Sequence, residues 1–480
     1  MNSPLTPTDI QKIHEATLTL LDRTGVAFHS PMAIEIFARH WFRTKGPIVH
    51  FPAKEVEGAI ENAPGHFNLL GRNPERTLTV GKGDIAFAPG YGAPYLMTEE
   101  GRRRKTTLED YIRFCKLGHT SDVINVTGFL TVDASDLPPE SYHLDMLFQN
   151  LTLSDQPFMG SPLSAGAARD AVEMATMVFG SQGLPVMVSL INSLQPLQFS
   201  REMTESLITF CRHNQPVIIM GGGIMGATAP LRLPGLLCVQ NAVVLAGLTL
   251  SQLVHPGCPV LYGVGGSPMD MKSGAYTIGG PELSRSMRAG VALAKRYGLP
   301  CRGGGALTDS HEVDFQAGAQ SAFLIGEALS AGVDFIVHGC GILGSYMAMS
   351  FEKFVADEDL CRHALFLRRP LDLSDLEVEV KAIEEVGTAG HYLTQERTVK
   401  FCRTEFFRSP LMNRSSYENW EKSRPRIFTE KATALVEERL RDYKQPSIGE
   451  DLVRDLSRYV QMRKEEIGRQ NNQWSMTNGQ

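Results

Sequence analysis

Apolar residues along this chain gather in short blocks of five or six, each followed by a longer stretch in which they recur at helical spacing. The blocks fall at 85–90, 124–128, 157–161, 185–190, 216–221, 259–263, 299–303 and 334–339, roughly thirty to forty residues apart. Helices are predicted at about 107–120, 142–153, 166–179, 200–213, 234–250, 281–297, 316–331 and 350–362. A strand buried on both faces reads as a continuous apolar run, and parallel strands need a long crossover between them. Eight such units predict an α/β fold of the (βα)8 or TIM-barrel type, with N-terminal and C-terminal helical additions.

Local signals agree with that pattern. Pro157, Pro185, Pro216, Pro259 and Pro300 stand at or next to strand starts, where a missing N–H does no harm. Thr107 and Asp110 make a capping-box-like helix start, and Pro234 and Pro281 sit in first turns. An amphipathic helix from Thr6 to about Gly25 should pack outside the barrel or cap its bottom, and 26–80 reads as a small irregular region. The expected division is an N-terminal addition at 1–80, a catalytic barrel at 81–370 and a C-terminal helical extension at 371–480. That extension holds a helix at about 374–385, a polar stretch at 387–415, and charged amphipathic helices at about 429–443 and 450–466. The last two should present a solvated outer face or bind a partner, and disorder is expected only near 471–480.

Composition narrows the class. The chain has 480 residues, more than the roughly 250 of a bare barrel, and its 42% hydrophobic residues suffice for a large core. A formal charge of -6 argues against a nucleic-acid partner, and the single basic run, 102–105, reads as a solvated turn beside Glu99 and Glu100. No uninterrupted apolar run reaches the roughly 18 residues of a bilayer span, so no membrane role is expected. The N-terminus carries no secretory pattern, and eight scattered cysteines read as reduced thiols of a cytoplasmic protein.

In a (βα)8 barrel the chemistry lies at the C-terminal ends of the strands. Here those ends offer Tyr, Asn, Arg, His, Cys and Gly but no Lys, and the one carboxylate in the blocks, Asp334, opens its strand. The glycine- and proline-rich loop after the first block aims Tyr91 and Tyr95, whose faces could hold a cation or simply pack under the loop. Glycine clusters at 221–226 and 303–305 allow close backbone approach to a ligand. Arg302 offers a planar fork for a carboxylate or phosphate, unless it pairs with Asp309 or Asp314. His338 stands where a barrel places reacting or orienting groups, with Cys340 beside it; either could equally be a core residue. No ligand spacing points to a resident metal.

Longer segments carry a family resemblance. Ser-Pro-Met-Asp-Met-Lys-Ser-Gly at 267–274, Gly-Pro-Glu at 280–282, Tyr-Gly-Leu-Pro-Cys-Arg-Gly-Gly-Gly at 297–305, Asp-Ser-His-Glu-Val-Asp-Phe-Gln-Ala-Gly at 309–318 and the stretch 331–359 resemble the trimethylamine methyltransferase superfamily. The resemblance implies a (βα)8 barrel that passes a methyl group from a methylamine to the cobalt of a corrinoid, a cobalamin-type cofactor carried by a separate cognate protein. Family members named for trimethylamine carry pyrrolysine, and this chain has only standard residues, which implies the branch acting on glycine betaine and other quaternary amines. It further implies that Tyr91, Tyr95 and Tyr346 wall the trimethylammonium group, that Arg302 clamps the carboxylate, and that His338 orients it as the catalytic-site hydrogen-bond partner.

A site poor in acids and bases suits that chemistry, because a quaternary nitrogen leaves as a neutral amine and needs no proton. Proline betaine, carnitine and γ-butyrobetaine are rival substrates. A phosphate-handling lyase or aldolase would call for a Schiff-base Lys or a metal at a strand end, and a non-catalytic quaternary-amine sensor would bind without turnover. Oligomerisation with other copies of the chain is left open.

Overall fold

The computed structural model describes residues 5–423 and 427–478, with side chains to residue 470. Seven parallel strands form its centre: β1 (Ala86–Phe87), β2 (Phe158–Met159), β3 (Met187–Asn192), β4 (Val217–Met220), β5 (Val260–Gly263), β6 (Cys301–Gly304) and β7 (Phe335–Val337). Their order is β1-β7-β6-β5-β4-β3-β2, so the first strand pairs with the last. The prolines behave as their positions predict: Pro216, Pro259 and Pro300 lack N–H groups, yet their carbonyls accept from Ser189, Val217 and Tyr262 on neighbouring strands.

The block at 124–128, expected as a strand, is held differently. Asn125 accepts from the Phe87 N–H at 2.7 Å and donates to the Ile85 carbonyl at 2.9 Å, while Gln156 donates to the Ile124 carbonyl at 2.9 Å. These amide bonds add to irregular main-chain bonds, from Asn125 and Val126 to the Phe87 carbonyl and from Thr127 to Pro157, and a single regular bridge, Thr127 to Phe158, remains. The sheet is open by strand pairing, and this segment hydrogen-bonds to both of its edges, at Phe87 and at Pro157.

Helices follow the strands close to their predicted bounds, among them Leu108–His119, Pro281–Arg296, Phe315–Ala331 and Phe351–Phe366. Thr107 and Asp110 form the expected capping box. Leu233–Val254 is long and apolar enough to cross a membrane by length and composition, although polar residues interrupt its apolar run. It is a core helix: most of its residues are buried, and Asn241 on it bonds Tyr297 at 2.8 Å and Tyr262 at 2.9 Å. Helix Pro7–Arg23 packs outside, against this same helix.

Other expectations change. Residues 26–80 hold more regular structure than expected, with helices Pro31–Arg39 and Ala53–Asn62 and short strands including Val26–Phe28 and Ile48–His50. The basic run is an exposed strand, Arg103–Lys105, paired antiparallel with Tyr95–Met97, and no turn. Helix Leu376–Val386 buries no residue, while Phe428–Asp442 packs on Phe351–Phe366 through Ala432 and Val436. Helix Glu450–Asn478 runs through most of the tail expected to be disordered, and residues 479–480 lie outside the described ones.

Candidate functional site

At the C-terminal ends of the strands lies a cavity of about 320 Å³. Tyr91 enters it from the loop after β1, Asn192 and Met220 close β3 and β4, Tyr276 comes from the loop after β5, Arg302 lies in β6, and His338 and Tyr346 follow β7. Glycine and aliphatic residues complete the lining, which contains no Asp, Glu or Lys. A larger groove of about 860 Å³, lined by Glu99, Glu100, Glu312, Glu352 and Glu430 among others, shares none of these residues. The convergence of Tyr, Arg and His favours the smaller cavity as the site.

Arg302 dominates the electrostatics. It is 4% exposed, and its one guanidinium contact with oxygen is Nη1 to the Val264 carbonyl at 3.3 Å; the Met220 sulfur lies at 3.4 Å. Its Nε has no hydrogen-bond partner, and no carboxylate pairs with it among the described residues. Asp309 and Asp314, its expected partners in the structural alternative, are engaged elsewhere: Asp309 with the Ile278 and Gly279 N–H groups, Asp314 as the cap of helix Phe315–Ala331. Burial pulls the arginine pKa down, partly offset by Tyr346 and Tyr276. A guanidinium has five N–H donors, and burying it without an anion costs several kcal/mol, on the order of the penalty for one desolvated ion. The geometry leaves a buried guanidinium with donors to spare beside the cavity.

His338 is buried, with φ at 64°, and its Nδ1 accepts from the Tyr91 N–H at 3.2 Å. Burial, then the Arg302 charge, lowers its pKa well below the ordinary value. The ring is therefore neutral at neutral pH, and with Nδ1 accepting, the proton is on Nε2. Gly305 makes the approach feasible, since a Cβ there would stand 2.5 Å from the His338 carbonyl oxygen.

Tyr346 lies 4.7 Å from His338 between ring centroids and stacks with Tyr276 at 6.3 Å. It ends a left-handed run, Gly344, Ser345 and Tyr346, with φ of 55°, 54° and 74°. Non-glycine residues held there cost about 1–3 kcal/mol each, so the surrounding bonds must over-determine this turn. The Tyr91 hydroxyl is buried without a partner among the described residues, and burial raises its pKa, so the phenol stays protonated.

The structure thus brings together Tyr91, Arg302, His338 and Tyr346, and leaves Tyr95 outside the lining. The Tyr95 ring instead takes the Arg103 guanidinium at 4.7 Å. Tyr276 and Asn192 escaped sequence reasoning. Asn192 lies two residues past the predicted end of its strand, whereas Tyr276 sits deep in a loop with no local signal. Cys340 is buried and its thiol pKa is raised, first by burial, so it offers no thiolate. No cluster of three or more His, Cys, Asp or Glu suited to a metal occurs among the described residues.

Fold and cavity define an α/β protein with a cavity at the carboxyl ends of a parallel sheet. The family model for trimethylamine methyltransferase matches residues 1–468, and the chain belongs to that family. It is 38% identical to the glycine betaine methyltransferase of Desulfitobacterium hafniense, over 97% of this chain and 98% of that relative. The proline betaine:corrinoid methyltransferase of Eubacterium limosum is 32% identical, over 94% and 96%, and the L-carnitine:corrinoid methyltransferase of the same organism 30%, over 91% and 93%. In fold, it resembles the monomethylamine methyltransferase of Methanosarcina barkeri, with a TM-score of 0.53 at 11% identity over 92% of this chain and 89% of that one.

Proposed function

We propose that this protein transfers a methyl group from a carboxylated quaternary amine, glycine betaine foremost, to the Co(I) of a cognate corrinoid protein, giving dimethylglycine and methyl-Co(III) corrinoid. The observation that carries the reading is Arg302, a buried guanidinium without a carboxylate partner in a cavity lined by tyrosines and free of acids and lysines. A betaine supplies the missing anion through its carboxylate and a soft cation for the aromatic walls.

In this reading Arg302 clamps the carboxylate and His338 donates to it from Nε2, while Tyr91, Tyr276 and Tyr346 surround the trimethylammonium group. An acid next to the nitrogen would stabilise the charged substrate over the neutral product, and the cavity lining has none. Catalysis then rests on holding the methyl carbon in line with its acceptor and excluding water. The names of the three betaine and carnitine relatives support substrate class and corrinoid partner alike.

We also read the sheet together with 124–127 as the eight staves of a (βα)8 barrel spanning 81–370, with 1–80 and 371–480 as additions. The bonds of that segment to both edge strands support this. Eight free cysteines support a cytoplasmic setting.

The test mixes the purified protein with glycine betaine and a Co(I) corrinoid, free or on a carrier protein, and follows the visible spectrum. Methyl-Co(III) formed together with dimethylglycine is the expected result. Turnover only with proline betaine or carnitine would move the substrate, and binding without turnover across the panel would favour a sensor.

A further inference from the structure

We propose that Asp309 is a positioning residue that clasps the loops bearing Tyr276 and Tyr346 around the cavity; its effect on substrate rests on the function proposed above. Asp309 lies in the loop after β6 and lines no part of the cavity. Its Oδ1 accepts from the Ile278 N–H at 2.6 Å and from the Ser345 hydroxyl at 2.7 Å, and its Oδ2 accepts from the Gly279 N–H at 3.0 Å. One carboxylate therefore joins the loops after β5, β6 and β7. Ile278 is two residues from Tyr276, and Ser345 adjoins Tyr346, whose rings stack.

The clasp has its own support. Gln320, on helix Phe315–Ala331, accepts through Oε1 from the Asp309 N–H at 2.9 Å and the Thr308 hydroxyl at 2.7 Å. Its amide lies so close to Gly279 that a Cβ there would come within 2.2 Å. The loops after β6 and β7 are also tied by main chain, Gly344 N–H to the Ser310 carbonyl at 2.7 Å and Ser345 N–H to the Thr308 carbonyl at 3.1 Å. The loop after β5 shows no such tie to the loop after β6 among the described residues, so the Tyr276 side depends most on the carboxylate. Asparagine could keep one oxygen but would turn an NH2 toward a backbone N–H, donor against donor.

The experiment compares the full-length wild type with Asp309→Ala, Asp309→Asn and Ser345→Ala by hydrogen exchange and by steady-state kinetics with glycine betaine. Asp309→Ala should exchange at least about tenfold faster at 275–280, with a smaller rise at 344–349 and none in β5 to β7. KM should rise about tenfold while kcat changes less than about threefold, the split expected when ground-state positioning is lost. Asp309→Asn should fall between, and Ser345→Ala should loosen only the Tyr346 side. Unchanged exchange at 275–280, or a lowered melting temperature with KM unaltered, would overturn the proposal. If Asp309→Ala does not fold, the other two variants decide by the same criteria. A wild type inactive on every quaternary amine counts against the proposed function, and the exchange pattern still decides the clasp.

Discussion

Two buried cations in this molecule live under opposite conditions. Lys353, on helix Phe351–Phe366, is 1% exposed and meets the Asp357 carboxylate one turn on, with the Ser321 hydroxyl at 2.8 Å completing its shell. Asp357 also accepts from the Gly341 N–H at 2.8 Å, and Glu358 beside it pairs with Arg439 of helix Phe428–Asp442. Arg302 is almost as deeply buried and has one main-chain oxygen. Lys353 is neutralised within the fold, whereas Arg302 meets no carboxylate among the described residues, and on the proposed function a substrate carboxylate supplies it.

Breaking the satisfied pair should have the largest effect. Lys353→Met leaves Asp357 buried without its cation and should cost about 3–5 kcal/mol of stability, read by denaturant melts. Recovery in the Lys353→Met, Asp357→Leu double variant would show that the loss was uncompensated charge. Arg302→Ala should do the reverse: betaine binding weakened by about 2–4 kcal/mol, with the melting temperature level or higher. A destabilised Arg302→Ala with wild-type KM would erase the contrast.

Smaller tests sharpen it. Tyr276→Leu should cost about 0.5–2 kcal/mol in binding through a lost aromatic face, whereas Tyr95→Leu, outside the lining, should stay within about twofold of wild type. Smallest of all is the response to pH. With the His338 pKa well below its ordinary value, betaine affinity measured calorimetrically should be flat between about pH 6 and 8. Stability should behave differently, because the unfolded chain takes up that proton first as pH falls below about 6.5. This contribution to stability is therefore lost on acidification, and His338→Gln should remove it.

The sequence made the strands legible because apolar residues filled them, proline opened five of them and glycine followed most. The block at 124–128 had the same apolar look, but its main-chain bonds are irregular and the Asn125 and Gln156 amides add to them, which no periodicity reveals. Arg302 and His338 could be placed at the cavity from sequence because they lie on or directly after strands. Tyr95 lies outside the lining, its ring against Arg103 of the paired strand, which its place in the loop did not foretell. Tyr276 was invisible for the complementary reason: it lies in a long loop whose course is set by contacts distant in sequence, such as the Ile278 N–H to Asp309.

The bond that fixes the His338 tautomer comes from the main chain of Tyr91. Every residue except proline carries that N–H, so position 91 can change its side chain, and with it the width of the pocket, without reversing the polarity of the histidine. Anchor and wall can evolve separately although they meet in one residue. On the proposed function, a lineage could then try new amine headgroups one substitution at a time while its grip on the carboxylate stays intact.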